Sequence, residues 1–247
     1  MSERATSYHD LAGWYDALYD ARGKDYHREA EVILDLAADR DVEVATLLDV
    51  ACGTGRHLAV FAHHLDEVVG TDASSEMLTI AAARLGADVE LHEADLRGFD
   101  LGRRFDVVTC LFSSIGHVQD AEELDAAVAA MARHVAPGGL LVIEPWLTPA
   151  LVRDGVVRDL VTAEQDDGVV ARVSSSRREG EMLVVSFAWA VATPGGVATL
   201  EEELWMPLFT AERYVAAVER AGLTGEWLAE VEGLAAGRGL LLGRRGA

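Results

Sequence analysis

The sequence predicts an α/β protein organised on a doubly wound, mostly parallel sheet, and three observations carry that reading. From residue 46 to about 147, short apolar runs rich in Val and Leu alternate with stretches of helical spacing, the signature of strand–helix–strand units. The first run, Leu47-Leu48-Asp49-Val50-Ala51-Cys52-Gly53-Thr54-Gly55, breaks into a glycine turn and then into a helical pattern from Arg56. That junction makes a binding edge, because glycines let the backbone approach a ligand and a helix start offers free N–H groups. After residue 151 the periodicity becomes that of antiparallel strands.

The elements follow in order. Residues 1–45 read as a helical segment, with Tyr8, Leu11, Trp14, Tyr15, Leu18 and Tyr19 about one turn apart and an amphipathic run over 30–38. Strands are expected at 46–50, 67–71, 89–92, 105–111 and 139–145, with helices at about 56–64, 75–85 and 121–135. Pro137-Gly138-Gly139 is read as the stop of the third helix. Three strands, 169–175, 182–191 and 197–208, turn at Arg178-Glu179-Gly180 and Thr193-Pro194-Gly195-Gly196 and form a β insertion over 151–208. A helix at 210–221 and a final strand pair ending at Gly237-Arg238-Gly239-Leu240-Leu241-Leu242 complete a domain running from 46 to 247.

Composition narrows the function. The 247 residues allow a sizeable core, half of them are hydrophobic, and no apolar run reaches the ~18 residues that cross a bilayer. A formal charge of −21, with 42 acidic against 21 basic residues, repels nucleic acid and anionic membranes. All the basic residues but Lys24 are arginine, which fits either genome composition or a high-salt surface. Cys52 and Cys110 are expected as reduced, buried thiols, and the cytoplasm is the expected location. The histidines lack metal-ligand spacing, so no metal is expected. The sequence leaves room for a homodimer.

In a doubly wound sheet, ligands bind outside the carboxyl ends of the strands. The first exit differs from a dinucleotide fingerprint, because Gly53-Thr54-Gly55 is followed by Arg56-His57-Leu58 and no third glycine. The second exit, Gly70-Thr71-Asp72, offers an acid for two ribose hydroxyls; its competing role, a helix N-cap, suits Ser74 better. At the third, Asp95 can accept from an adenine amino group and Leu96 can supply a backbone N–H, unless Asp95 is simply a solvated loop acid. The fourth ends in Cys110-Leu111-Phe112-Ser113-Ser114-Ile115-Gly116-His117, the fifth in Glu144-Pro145-Trp146.

Residues 47–55 resemble motif I of the class I S-adenosylmethionine (SAM) methyltransferases, whose sheet has seven strands. With Phe112-Ser113-Ser114-Ile115-Gly116-His117 and Glu144-Pro145-Trp146, they are similar to the amino-sugar N,N-dimethyltransferases that act on nucleotide-linked (dTDP-type) deoxysugars. Leu147-Thr148-Pro149 departs from that pattern, where those enzymes tend to carry a second tryptophan and a phenylalanine. The resemblance implies SAM held by Tyr15, Tyr26, Asp49, Ala51, Gly53, Gly55, Asp72, Met77, Asp95, Leu96, Leu111 and Phe112. It also implies that the N-terminal segment is a lid, that excludes water from the transfer site. His117 is the expected proton acceptor, Glu144 the second candidate, and water a third. Tyr8, Trp146, Arg178 and Arg238 are the expected substrate contacts, the arginines gripping a pyrophosphate as forks. The alternatives are a methyltransferase for another small molecule, a glycine- or sarcosine-type amine or a natural-product hydroxyl, and a SAM-fold binding protein without transfer activity.

Overall fold

The computed structural model describes residues 8–152, 157–234 and 237–247, and the side chains of 8–11 and 157 lie outside that description. The chain divides into two compact units, one of residues 1–25 and 153–206, the other of 26–152 and 207–247. The two helices of the N-terminal segment are thus shared between units.

In the larger unit the hydrophobic runs form a seven-stranded sheet. Its strands are β1 (Thr46–Val50), β2 (Glu67–Asp72), β3 (Glu90–Glu93), β4 (Phe105–Cys110), β5 (Val135–Ile143), β10 (Thr224–Leu228) and β11 (Leu240–Arg244). Their order is β10-β11-β5-β4-β1-β2-β3. β1 to β5 run parallel, and β11 enters antiparallel between β5 and β10. The chain winds from β1 outward through β2 and β3, then returns to β4 on the other side, so the sheet reverses between β1 and β4. That reversal point is where such sheets open a crevice.

Alternation along β1 divides the core. Leu48 and Val50 join the layer formed with α5 (Ala121–Arg133) and α6 (Ala211–Arg220), while Leu47 joins the layer with α2 (Tyr26–Ala38) and α3 (Arg56–Phe61). Asp49 therefore projects into the α2–α3 side, a carboxylate at a core position. α4 (Ser75–Leu85) begins at Ser74, whose hydroxyl accepts from the Met77 N–H at 3.2 Å, the N-cap read from the sequence.

The Pro137-Gly138-Gly139 signal has a different role from the one expected. α5 ends at Arg133, and β5 has already begun at Val135. The register with β4 shifts between Phe105 and Val107, so the segment is an irregularity inside a strand. A Cβ on Gly139 would come within 2.7 Å of the Asp106 carbonyl oxygen.

The smaller unit packs α1 (Tyr8–Ala21) on an antiparallel sheet of β6 (Val157–Gln165), β7 (Gly168–Glu179), β8 (Met182–Thr193) and β9 (Gly196–Pro207). It has four strands against the three expected, β6 being the addition, and Arg178 and Glu179 belong to β7 and not to a turn. Trp14 and Leu18 meet Val161, Ala163, Val170, Trp189 and Val191 on one face. The opposite face carries Leu160, Val169 and Val173, which with Val197 on β9 are between 44% and 74% exposed.

Candidate functional site

The exits of β1, β2, β4 and β5 assemble the site in the larger unit. Past β1, left-handed φ angles recur at Ala51 (58°), Gly53 (57°) and Gly55 (75°). Gly53 has open space where a Cβ would point, whereas at Gly55 a Cβ would press on Ala81 and Leu85 of α4. One glycine keeps the turn open above, and the other lets two helices close below.

Asp72 organises this turn. Its Oδ2 accepts from the Gly53 N–H at 2.8 Å and its Oδ1 from the Ser74 N–H at 2.9 Å. Asp49 lies beneath, 2% exposed, accepting from the Thr109 hydroxyl at 2.7 Å. Burial pushes its carboxyl up to about 6, with His57 drawing it down and Asp72 adding to the rise. Met77 and Leu111 are buried, and Leu96 packs against the core. Asp95 is exposed and held at both oxygens by Arg97, which keeps its carboxyl below the usual range.

At the β4 exit the strand ends at Cys110, and Phe112 and Ser113 both take left-handed φ, 59° and 60°. Neither is glycine, and a left-handed residue costs roughly 1–2 kcal/mol. Groups just past β5 and in the β10–β11 loop hold the turn in place. Glu144 Oε2 accepts from the Phe112 N–H at 2.7 Å, and the Ser113 hydroxyl donates to the Pro145 carbonyl at 2.8 Å. Arg238, between Gly237 and Gly239 with φ of 76° and 75°, donates to the Ser113 hydroxyl at 2.8 Å. Its guanidinium also stands 3.8 Å from Glu144 and 5.6 Å over the Trp146 ring. Arg238, Trp146 and Glu144 are thus brought together. Glu144, however, is buried and engaged, and does not stand at the rim, because its carboxylate turns in to hold Phe112.

His117 ends a 3₁₀ turn (Ser114–His117), seven residues past the strand end and not at it. The imidazole is open to solvent on one side, yet crowding by protein holds it below its ordinary value, with Asp72 opposing. At neutral pH it is an uncharged base. His134 shows the alternative fate of a histidine: fully buried, it accepts from the Leu101 N–H at 2.9 Å and faces the Ala130 carbonyl at 2.7 Å, a structural role.

Three expected residues belong to the smaller unit. Tyr15 packs against Tyr19 with tilted rings, centroids 4.7 Å apart. Arg178 is exposed and donates to the Gly180 carbonyl at 3.0 Å. The Tyr8 side chain lies outside the described residues. Tyr26, in the larger unit, meets His57 edge-on at 5.0 Å and carries Arg56 over its ring at 4.9 Å. Ser113, Glu29 and His57 are the site residues that sequence reading missed. His57 stood just beyond the motif, two positions past Gly55. Among the described residues no group of three or more His, Cys, Asp or Glu could hold a metal ion, and no helix is long and apolar enough to cross a membrane.

The residues present fit SAM: open backbone at Gly53, an acid at the β2 exit for a ribose diol, and a buried carboxylate on the β1 face for a cationic ligand. Together with the sheet order, they define a class I SAM-dependent methyltransferase. A family profile described as a methyltransferase domain matches residues 47–139. Over 95% of its length the chain is 45% identical to the dTDP-3-amino-3,4,6-trideoxy-alpha-D-glucopyranose N,N-dimethyltransferase of Streptomyces venezuelae, covering 97% of that protein. It is 41% identical to the dTDP-4-amino-2,3,4,6-tetradeoxy-D-glucose N,N-dimethyltransferase of Saccharopolyspora spinosa, over 96% of this chain and 93% of that one. The SAM-bound structure of CalS10, an amino pentose methyltransferase from Micromonospora echinaspora, superposes with a TM-score of 0.81 at 41% identity, covering 94% of this chain and 96% of that chain. The chain belongs to the family of the nucleotide amino-sugar N,N-dimethyltransferases.

Proposed function

We propose that this enzyme transfers methyl groups from SAM, twice in succession, to the amino group of a dTDP-linked deoxyamino sugar. The observation that carries the substrate reading is the Arg238–Ser113–Glu144–Trp146 cluster at the exits of β4 and β5. It combines a guanidinium for phosphate oxygens with a flat ring for a sugar or base, beside the edge that holds SAM. The relatives' names support the same class, and they differ in the ring position of the amine.

When bound, SAM supplies an electrophilic methyl on a sulfonium. The chain's residues hold the acceptor amine about 3–3.5 Å from that methyl, in line with the leaving sulfur. As the new C–N bond forms, the S–C bond breaks and S-adenosylhomocysteine is released. The ammonium product loses one proton, and in this reading His117, uncharged at neutral pH, takes it. Glu144 acts in this reading as a positioning residue, since its carboxylate holds the Phe112 turn and sits beside Arg238.

Asp72 binds the ribose hydroxyls and Asp95 with Leu96 the adenine, while Leu111, Phe112 and Met77 line the nucleoside. Tyr15 and Tyr26 serve the methionine end, Tyr8 and Arg178 the substrate, and the N-terminal helices form the lid. A homodimer through the outer face of β6–β9 belongs to the same reading. An antiparallel sheet wet on one side alternates apolar and polar residues, yet Leu160, Val169, Val173, Ala188 and Ala190 all face outward here. Sedimentation tests this: Leu160→Asp with Val173→Asp is expected to yield monomers.

The test of function is incubation with SAM and a panel of dTDP-amino sugars and simple amines, read by mass. Gain of one and then two methyl groups on a sugar nucleotide is expected. Methylation of simple amines alone would contradict the substrate class.

A further inference from the structure

The face of β7 that packs on α1 changes character along the strand. Val170 lies with Trp14 and Leu18 in the apolar core of the smaller unit. The next residue on that face is Arg172, only 5% exposed, registered with Val161 of β6 and Trp189 of β8. Ser174 and Ser176 follow, half-buried, and the exposed Arg178 ends the row. Successive members stand about 6–7 Å apart, two residues of strand.

Arg172 is notable for what it lacks. An arginine is almost never this buried unless paired, because stripping water from its charge is costly. The rings of Phe187, Trp189 and Tyr19 stand 5.1, 5.2 and 5.5 Å from its Cζ, and Nη1 donates to the Tyr19 hydroxyl at 3.4 Å. The rings attract the cation and fix its position, but none is a counter-ion. Glu202, an acid within reach of its field, accepts at Oε1 from the Trp189 indole N–H at 3.0 Å. Among the described residues no carboxylate forms an ion pair with Arg172, and Nη2 makes no hydrogen bond. Nε is buried and has no hydrogen-bond partner. Nε and Nη2 share one edge of the guanidinium, the fork that takes two oxygens of one anion. The hydroxyls of Ser174 and Ser176 also have no partner among the described residues.

Two carboxylate oxygens would fill the fork alone. The hydroxyls further along the same face extend the row of donors to a longer anion with more oxygens. We propose that Arg172, with Ser174 and Ser176, binds the diphosphate of the sugar nucleotide. The inference rests on the dTDP-sugar reading and adds a phosphate grip in the smaller unit, with the three rings holding the fork in position before the ligand arrives.

Calorimetry on the whole chain tests it with three ligands: dTDP, thymidine, which lacks the phosphates, and SAM. Arg172→Met keeps an apolar contact with the rings and removes the fork, so dTDP affinity is expected to fall about a hundredfold. Ser174→Ala combined with Ser176→Ala is expected to cost about tenfold. These hydroxyls are only half-buried, so the double variant decides the matter even where Arg172→Met does not fold. Thymidine and SAM affinities are expected to stay within about twofold of the unaltered protein. Unchanged dTDP affinity in the serine double variant, or equal weakening of thymidine, would overturn the proposal. Weakened SAM with dTDP binding intact would overturn it too, by giving the fork to the cofactor's carboxylate. Unaltered protein that neither binds dTDP nor methylates a sugar nucleotide would defeat the substrate reading, and this inference with it. Variants that keep dTDP affinity in an enzyme that does methylate sugar nucleotides would defeat this inference alone.

Discussion

The two walls of the site solve the same conformational problem differently. At the β1 exit the chain takes left-handed angles mostly on glycine, at Gly53 and Gly55, with Ala51 as the exception. At the β4 exit it does so on Phe112 and Ser113, where the strain must be held by Glu144, Pro145 and Arg238. The first wall is shaped by local sequence, the second by groups from two distant segments, Glu144-Pro145 and Arg238. A ligand with a fixed nucleoside can be met by a local turn. A wall that must aim one arginine and one tryptophan at a particular acceptor needs long-range bonds, and strained residues of this kind gather at such sites.

The largest effect is expected on the first wall. Asp72→Ala removes the acceptor for the Gly53 and Ser74 N–H groups as well as the proposed ribose contact. At roughly 2 kcal/mol for each charged hydrogen bond, SAM binding should weaken roughly a thousandfold, on the order of 4 kcal/mol; calorimetry reads it. Next comes His117→Asn, expected to lower kcat about a hundredfold with SAM affinity unchanged. The pH profile checks the assignment. The intact enzyme should keep its activity on the acid side of the ordinary histidine value, because crowding lowers His117, and the variant should lose that acid limb.

Asp49 sharpens the comparison from the side of stability. Its folded value of about 6 lies above the ordinary 3.8, so the buried charge costs stability above about pH 6, and the cost disappears below the unfolded value. Asp49→Asn is therefore expected to stabilise the protein at neutral pH by up to about 3 kcal/mol, read by denaturant melts, while losing SAM affinity. On the second wall, Arg238→Ala is expected to raise KM for a sugar nucleotide about tenfold more than for a simple amine, the size of one charged contact. Smallest is Arg177→Ala. Its exposed, solvent-screened pairs with Glu179 and Glu203 predict no measurable change in melting temperature and unchanged kinetics.

This contrast also explains what the sequence made legible. β1, the glycine turn and the Ser74 cap were readable because each is set by neighbours within a few residues. β6 was missed because Val157-Arg158-Asp159-Leu160-Val161-Thr162-Ala163-Glu164-Gln165 mixes charges into both faces and has no clean alternation. Pro137-Gly138-Gly139 has the chemistry of a helix stop, and only pairing with β4 reveals the strand irregularity. Glu29 with His57 and Ser113 with Arg238 are 28 and 125 residues apart, so packing alone creates them. The same holds for Glu144, whose type suggested a base and whose partners make it a clamp.

The central claim is that the nucleoside of SAM lies across the exits of β1, β2 and β3. A crystal soaked with S-adenosylhomocysteine measures it directly. The account predicts density over Gly53 with both ribose hydroxyls on Asp72; strand exits left empty, with the ligand bound elsewhere, would contradict it.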